Sequence, residues 1–147
     1  MAAKKRHWLW NILAVITVVV CLLALLAHFK NWTKVKPTQL QILSGFYYEE
    51  IKYADLDSVL LVERIPPMER LNGFSAFDKG KGVYREFKDS LTDKKVYVFV
   101  DNFSNQKIRL VKKDASQLFV NLKDSLETDE LFQLFRSKLE EEVSMGQ

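Results

Sequence analysis

The chain has 147 residues, 48% of them hydrophobic, which suffices for one domain of ordinary size and a short extra element but not for two full domains. Residues 1–36 hold six Lys or Arg and no acid, whereas residues 37–147 set 16 basic side chains against all 19 acids and come to −3, so the basic excess belongs to the N-terminal flank and argues against nucleic-acid binding by the remainder. His7, Cys21 and His28 all precede residue 37, which removes from residues 37–147 the His and Cys ligands of transition metals, the His general base, and the Cys or Ser nucleophile with a His partner.

In chain order, the first element is WLWNILAVITVVVCLLALLA, Trp8 to Ala27, an uncharged run with only Asn11 and Thr17 clearly polar. At about 1.5 Å per residue, roughly twenty helical residues match the ~30 Å hydrocarbon layer of a bilayer. Lys4, Lys5 and Arg6 precede the run and Lys30, Lys34 and Lys36 follow it, while Trp8, Trp10 and Trp32, the only tryptophans, stand at its two ends as an interfacial belt would. The sequence therefore predicts a single transmembrane anchor over residues 1–36. Its apolar core is longer than that of a cleaved secretory signal, and Cys21, with leucines behind it, reads as a small apolar filler. Three basic side chains on each flank nearly balance. The compact N-terminal cluster tips the comparison towards an inside tail and an outside domain.

Residues 37–147 read as β strands followed by one helix. Thr38–Leu43 and Tyr47–Tyr53 form a hairpin across Ser44, Gly45 and Phe46, and Ser58–Glu63 has the apolar run of a well-buried strand. Val83–Lys88, Lys95–Val100, Lys107–Val111 and Gln117–Leu122 complete seven strands. Val96, Val98 and Val100 share one face, and Ile108 and Leu110 another. The segments Leu91–Lys94, Asn102–Gln106 and Lys113–Ser116 are short and polar, so consecutive strands are expected to be antiparallel neighbours. Asp124 with Glu127 resembles a capping box, and Leu131, Leu134, Phe135 and Leu139 then keep one helical face apolar before a polar tail, Glu140–Gln147, expected to fray.

Between the third and fourth of these strands, RIPPMERLNGFSAFDKGKG (Arg64–Gly82) shows neither helical nor strand periodicity, and it reads as a long loop carrying Ile65, Met68, Leu71, Phe74 and Phe77. Burial tendency favours Leu71 and Phe74 closing the rim of the core. The functional reading leaves Met68, Phe74 or Phe77 as an exposed patch for a protein or lipid.

The run YADLDSVLLVERIPPMERLNGFSAFDKGKGVYREF, then KKVYVFVDN, KIRLVKKDASQLFVNLKD and the helix, resembles the bacterial pleckstrin-homology (PH) domain family of small membrane proteins. The resemblance rests on Asp55-Leu56 before Val59, the proline after the third strand, Leu71-Asn72-Gly73-Phe74, Gly82 before an aromatic strand, and Asn121-Leu122-Lys123-Asp124 leading into the helix. It covers about residues 38–139. It implies a mainly β fold, a seven-stranded bent antiparallel sheet closed by a C-terminal helix and attached to membrane helices in a bacterial cell membrane, with no established common activity; no cofactor or metal is expected from the residues.

The first hairpin, SGFYYEE, lacks the basic cluster of phosphoinositide-binding relatives. A secondary basic group, Lys79, Lys81 and Arg85 with Lys88, is the candidate for anionic head groups, with a solvated edge as the ordinary alternative. Three functions follow: a protein-binding or scaffolding module, an anionic-lipid sensor, and a hydrolase built on carboxylates such as Glu49 and Glu50, Asp55 and Asp57, or Glu140 to Glu142. Adjacent acids are usually solvated surface, and no phosphate-cradling glycine spacing occurs. The sequence thus favours a non-enzymatic binding module with a protein partner.

Overall fold

The computed structural model describes residues 3–87 and 94–145. Helix α1 runs from Ala3 to Phe29. Its His7–Phe29 stretch is long and apolar enough to cross a membrane, and it is exposed along most of its length, with only Ala24, Ala27 and His28 near its C-terminal end half-buried. Such a helix has no polar stripe to divide a wet face from a packed one.

Two sheets follow. Strands β1 (Trp32–Val35), β2 (Gln39–Ser44) and β3 (Tyr47–Lys52) form an antiparallel three-stranded sheet in that order. A turn of 3-10 helix at Tyr53–Asp55 leads to β4 (Leu56–Val62), then β5 (Met68–Ala76), β6 (Lys79–Glu86), β7 (Val96–Val100), β8 (Lys107–Lys112) and β9 (Gln117–Asn121). These six form the second sheet in the order β4-β8-β9-β7-β6-β5. Helix α2 (Ser125–Met145) closes the described chain.

The mainly β character and the C-terminal helix match the sequence reading, but the strand arrangement does not. The described residues hold nine strands in two sheets rather than seven successive neighbours. β7 pairs with β9 in parallel, and β8 lies beyond β9. The short connection after β7 steps over the end of β9 instead of making a hairpin, because Asn121, the last residue of β9, holds it there. Its side-chain carbonyl accepts from the Asp101 and Asn102 N–H groups, and its amide donates to the carbonyls of Asn102 and Gln106.

The Arg64–Gly82 segment is not a loop. Most of it is the β5–β6 hairpin, closed by Phe77 and Asp78 between the paired residues Ala76 and Lys79. Periodicity fails there because Leu71 is an extra residue between the pairs Arg70–Tyr84 and Asn72–Val83, and the bulge shifts the side-chain alternation. Gly73 and Gly82 face each other with φ of 146° and 156°, and a Cβ on Gly73 would come within 2.5 Å of the Lys81 carbonyl oxygen. Only glycines allow the strands to approach so closely. Pro66 and Pro67 remain outside the strands, as their missing N–H donors require.

Other expectations change as well. Trp32–Val35, counted with the anchor in the sequence, is a strand of the domain, so the boundary expected at residue 37 falls inside the first sheet. β4 is an edge strand with Leu60 exposed rather than a well-buried one. The tail expected to fray is helical to Met145, with Lys138 bridging Glu141 at 2.6 Å. Lys88 and residues 91–93, read as a strand end and a turn, lie outside the described residues.

The core has two parts, one on each face of the larger sheet. On one face Phe99, Ile108, Leu110, Leu118 and Val120 meet Leu40, Ile42 and Ile51 of the small sheet and Leu131 and Phe135 of α2. On the other, Val96, Val98, Val100 and Phe119 meet Val62, Ile65, Met68 and Tyr84. The alternating valines of β7 therefore pack as the period-two pattern predicted. The Asp124 carboxylate accepts the Leu126 N–H at 2.8 Å and caps α2, as its position in the sequence suggests.

Candidate functional site

Two features stand out, a polar junction where α1 joins the sheets and an apolar cleft beside the β5–β6 hairpin. The junction begins at Asn31, one residue before β1, whose side chain is buried. Its backbone N–H donates to Asp101 Oδ2 at 2.5 Å, and its side-chain amide donates to the carbonyls of Phe99 at 2.6 Å and Asn121 at 2.8 Å. Ser44 Oγ donates to Asn31 Oδ1 at 2.6 Å. One side chain thus ties the end of α1 to β2, β7 and β9. It satisfies the carbonyls at the open ends of the parallel pair, which burial would otherwise leave costly.

Lys81 completes this junction. Its ammonium lies 3.0 Å from Asp101 Oδ1, with both side chains essentially inaccessible to solvent. Lys81 Nζ has no hydrogen-bond partner among the described residues, so the contact is an ion pair of imperfect geometry. Burial pushes the Lys81 ammonium below the usual lysine range, with Asp101 opposing that shift. The second buried lysine, Lys107, fastens two loops by donating to the carbonyls of Glu63, at 2.7 Å, and Phe103. Desolvation lowers its pKa too.

Around the junction, the last turn of α1 rests on two hairpins. His28 Nδ1 donates to the Ala24 carbonyl, and its ring meets Phe46 edge-on at 4.6 Å and Phe74 at 6.0 Å. Gly45, with φ of 63°, makes room for that ring, since a Cβ there would stand 2.9 Å from His28 Nε2. Lys79 donates to the Phe29 carbonyl and lies 4.9 Å from the Phe29 ring, while Lys123 lies 4.8 Å from the same ring.

The cleft has a volume of about 360 Å³ and is lined by Ile65, Pro66, Met68, Arg70, Ser75, Tyr84, Val98 and Phe103. Its size falls at the lower end of ligand and side-chain pockets, and its walls are mainly apolar with few polar groups. Burial pushes the Tyr84 phenol up, with the charge of Arg70 working against the shift. β5 borders the cleft and is the outermost strand of its sheet, so one row of its backbone N–H and C=O groups has no strand partner.

The residues singled out in the sequence separate in space. Met68 lines the cleft. Leu71 and Phe74, expected to close the core, are each more than 40% exposed, and Phe77 is completely exposed at the hairpin turn. Trp8 and Trp10 lie along α1, while Trp32 is on β1 with Lys30 Nζ 4.4 Å from its ring. The basic group does not assemble: Lys79 caps α1, Lys81 is sealed against Asp101, and Arg85 pairs with Glu69 at 2.6 Å. The proposed acids also diverge, Glu49 pairing with Lys112 at 2.9 Å and Glu50 accepting from Gln41 and Tyr48. Hydrogen bonding from Tyr48 holds the Glu50 carboxyl below its usual range. Asn31 and Asp101 were not anticipated, since an amide after an apolar run and an acid after a strand look like ordinary turn residues.

Compared with family models, curated proteins and solved structures, the chain gives no significant match to any of the three.

Proposed function

We propose that this protein is a non-enzymatic, membrane-anchored binding module, with α1 as a single-pass anchor and the β domain presenting the cleft and the open β5 edge to a protein partner. The observation that carries the reading is their adjacency: an apolar cleft of about 360 Å³ beside an unpaired strand edge. An extended partner segment can pair its backbone with such an edge while seating one side chain in the pocket next to it. The apolar lining suits an aliphatic or aromatic side chain, with Arg70 at hand for an acidic neighbour.

What the PH-family resemblance implies for function, a binding domain on a membrane helix without a common activity, agrees with this proposal. Head-group recognition by Lys79, Lys81 and Arg85 is disfavoured, because Lys81 is buried and Arg85 is paired. The anchor reading carries the proposed orientation, tail inside and domain outside. An impermeant thiol reagent applied to intact cells would then label cysteine at Ser104 but not at Ala3 in a Cys21→Ala background, and the reverse pattern would place the domain inside.

A photo-crosslinking residue at Met68 in the full-length membrane protein tests the cleft. The proposal predicts one discrete adduct that disappears when Val98→Phe fills the pocket and persists in Phe87→Ala. An adduct indifferent to Val98→Phe would refute the cleft as the binding site.

A further inference from the structure

We infer that the turns of the β2–β3 and β5–β6 hairpins, carrying Phe46 and Phe77, seat in the head-group region of the same bilayer that α1 crosses, so that the domain has a second, peripheral anchor. The inference rests on the reading of α1 as a membrane span. That span, His7–Phe29, holds 23 residues and is therefore about 35 Å long, enough to bring its last turn to the edge of a ~30 Å hydrocarbon layer. The hairpins are located by contact with this turn. Phe46 and Phe74 both meet the His28 ring, and Lys79 reaches the Phe29 carbonyl, so both hairpins stand at the depth where α1 leaves the lipid.

Their exposed side chains suit that depth. Phe46 is 76% exposed and Phe77 completely so. Phe77 also has φ of 54°, a conformation that a bulky residue adopts at a cost and that glycine or asparagine adopts easily. Neither ring belongs to either core cluster. Exposed Lys30 and Lys123 and half-buried Lys79 surround the same turn of α1, supplying the basic and aromatic mixture favoured at membrane interfaces. At the opposite end, the turn before β9 is made of Lys113, Asp114, Ala115 and Ser116, and an exposed ring there, Phe87 after β6, stands remote from Lys79 and from α1 and so serves as the control. The bilayer is therefore the occupant that continuity with α1 brings to these rings.

The test uses the full chain in nanodiscs of phosphatidylcholine and phosphatidylglycerol, with Trp8, Trp10 and Trp32 changed to Phe and one tryptophan returned at a time. Acyl-chain-brominated lipids quench tryptophan on contact. Phe46→Trp and Phe77→Trp are expected to lose much of their emission, most strongly with bromines near the head groups. Val18→Trp is expected to be quenched best by deep bromines, and Phe87→Trp to be unaffected. Quenching of Val18→Trp without quenching of either turn would overturn the second anchor and leave the span intact. Failure to quench Val18→Trp would overturn the span and this inference with it. Turn tryptophans shielded from aqueous acrylamide yet untouched by brominated lipid would assign the rings to a protein contact and also refute the inference.

Discussion

At the α1 end of the domain, polar groups are buried and held by one another, by hydrogen bonds and by the Lys81–Asp101 ion pair, whereas at the far end they do similar bonding in water. Asn31, Ser44, Asp101 and Asn121 bond one another and the strand ends out of solvent. At the far end Asp114 accepts from Ser116 at 2.8 and 2.6 Å, and Lys112 meets Glu49 at 2.9 Å, with side chains partly or fully exposed. The geometry is similar, but the consequences of breaking it are not. Removing a partner from a buried pair strands a charge or carbonyl without water, while at the surface water replaces what is lost.

The contrast is broken most severely at Asp101. Asp101→Asn retains an acceptor for Asn31 but leaves the Lys81 ammonium buried without its counter-charge, and about 3–5 kcal/mol of stability should be lost in thermal unfolding of the detergent-solubilised chain. Adding Lys81→Met should recover part of that loss, because the stranded charge is gone. Next is Asn31→Ala, which leaves the Phe99 and Asn121 carbonyls without this donor and should cost about 2–3 kcal/mol. Gly45→Ala should cost about 1–2 kcal/mol, since it combines a left-handed backbone with a Cβ 2.9 Å from His28. At the far end, Lys112→Ala should cost no more than about 1 kcal/mol, and the same melts would show it.

Titration sharpens the comparison further. Burial lowers the Lys81 pKa in the folded chain from the ordinary 10.5, so between the two values the unfolded chain binds more protons and stability rises with pH. Lys107 acts in the same direction. The rise should be visible as pH approaches 10, below the range where unfolded phenols ionise while burial keeps those of Tyr53 and Tyr84 protonated, which opposes it, and should be shallower in Lys81→Met/Asp101→Asn. Chemical denaturation at stepped pH would measure both slopes.

Much of this architecture can be read from the residues themselves. The unbroken apolar run specifies α1, the alternating valines specify β7, and the spacing of Leu131, Phe135 and Leu139 specifies the packed face of α2. β5 is invisible because both its faces are largely exposed and a bulge at Leu71 resets its alternation, so no period survives. The parallel β7–β9 pair is equally hidden, since the bonds that fasten its end run from one asparagine to a loop about twenty residues away in sequence, which no local pattern reveals. Of the cleft, Ile65 and Met68 were legible as apolar residues needing an explanation, but the fold alone brings Val98 and Phe103 to them. Lys81 reads as a surface cation by type and is buried only because Asp101 ends the neighbouring strand.

The central claim is that Asn31, two residues after the end of α1, belongs to the domain core and is not part of a flexible tether. Amide hydrogen exchange of the full chain in nanodiscs, resolved at Asn31, tests it most directly. The account predicts protection of the Asn31 N–H comparable to that of Phe99 and Val120 in the core, lost together with Asp101→Leu. Exchange at Asn31 as fast as in an exposed turn such as Ser104, with the core strands still protected, would contradict it.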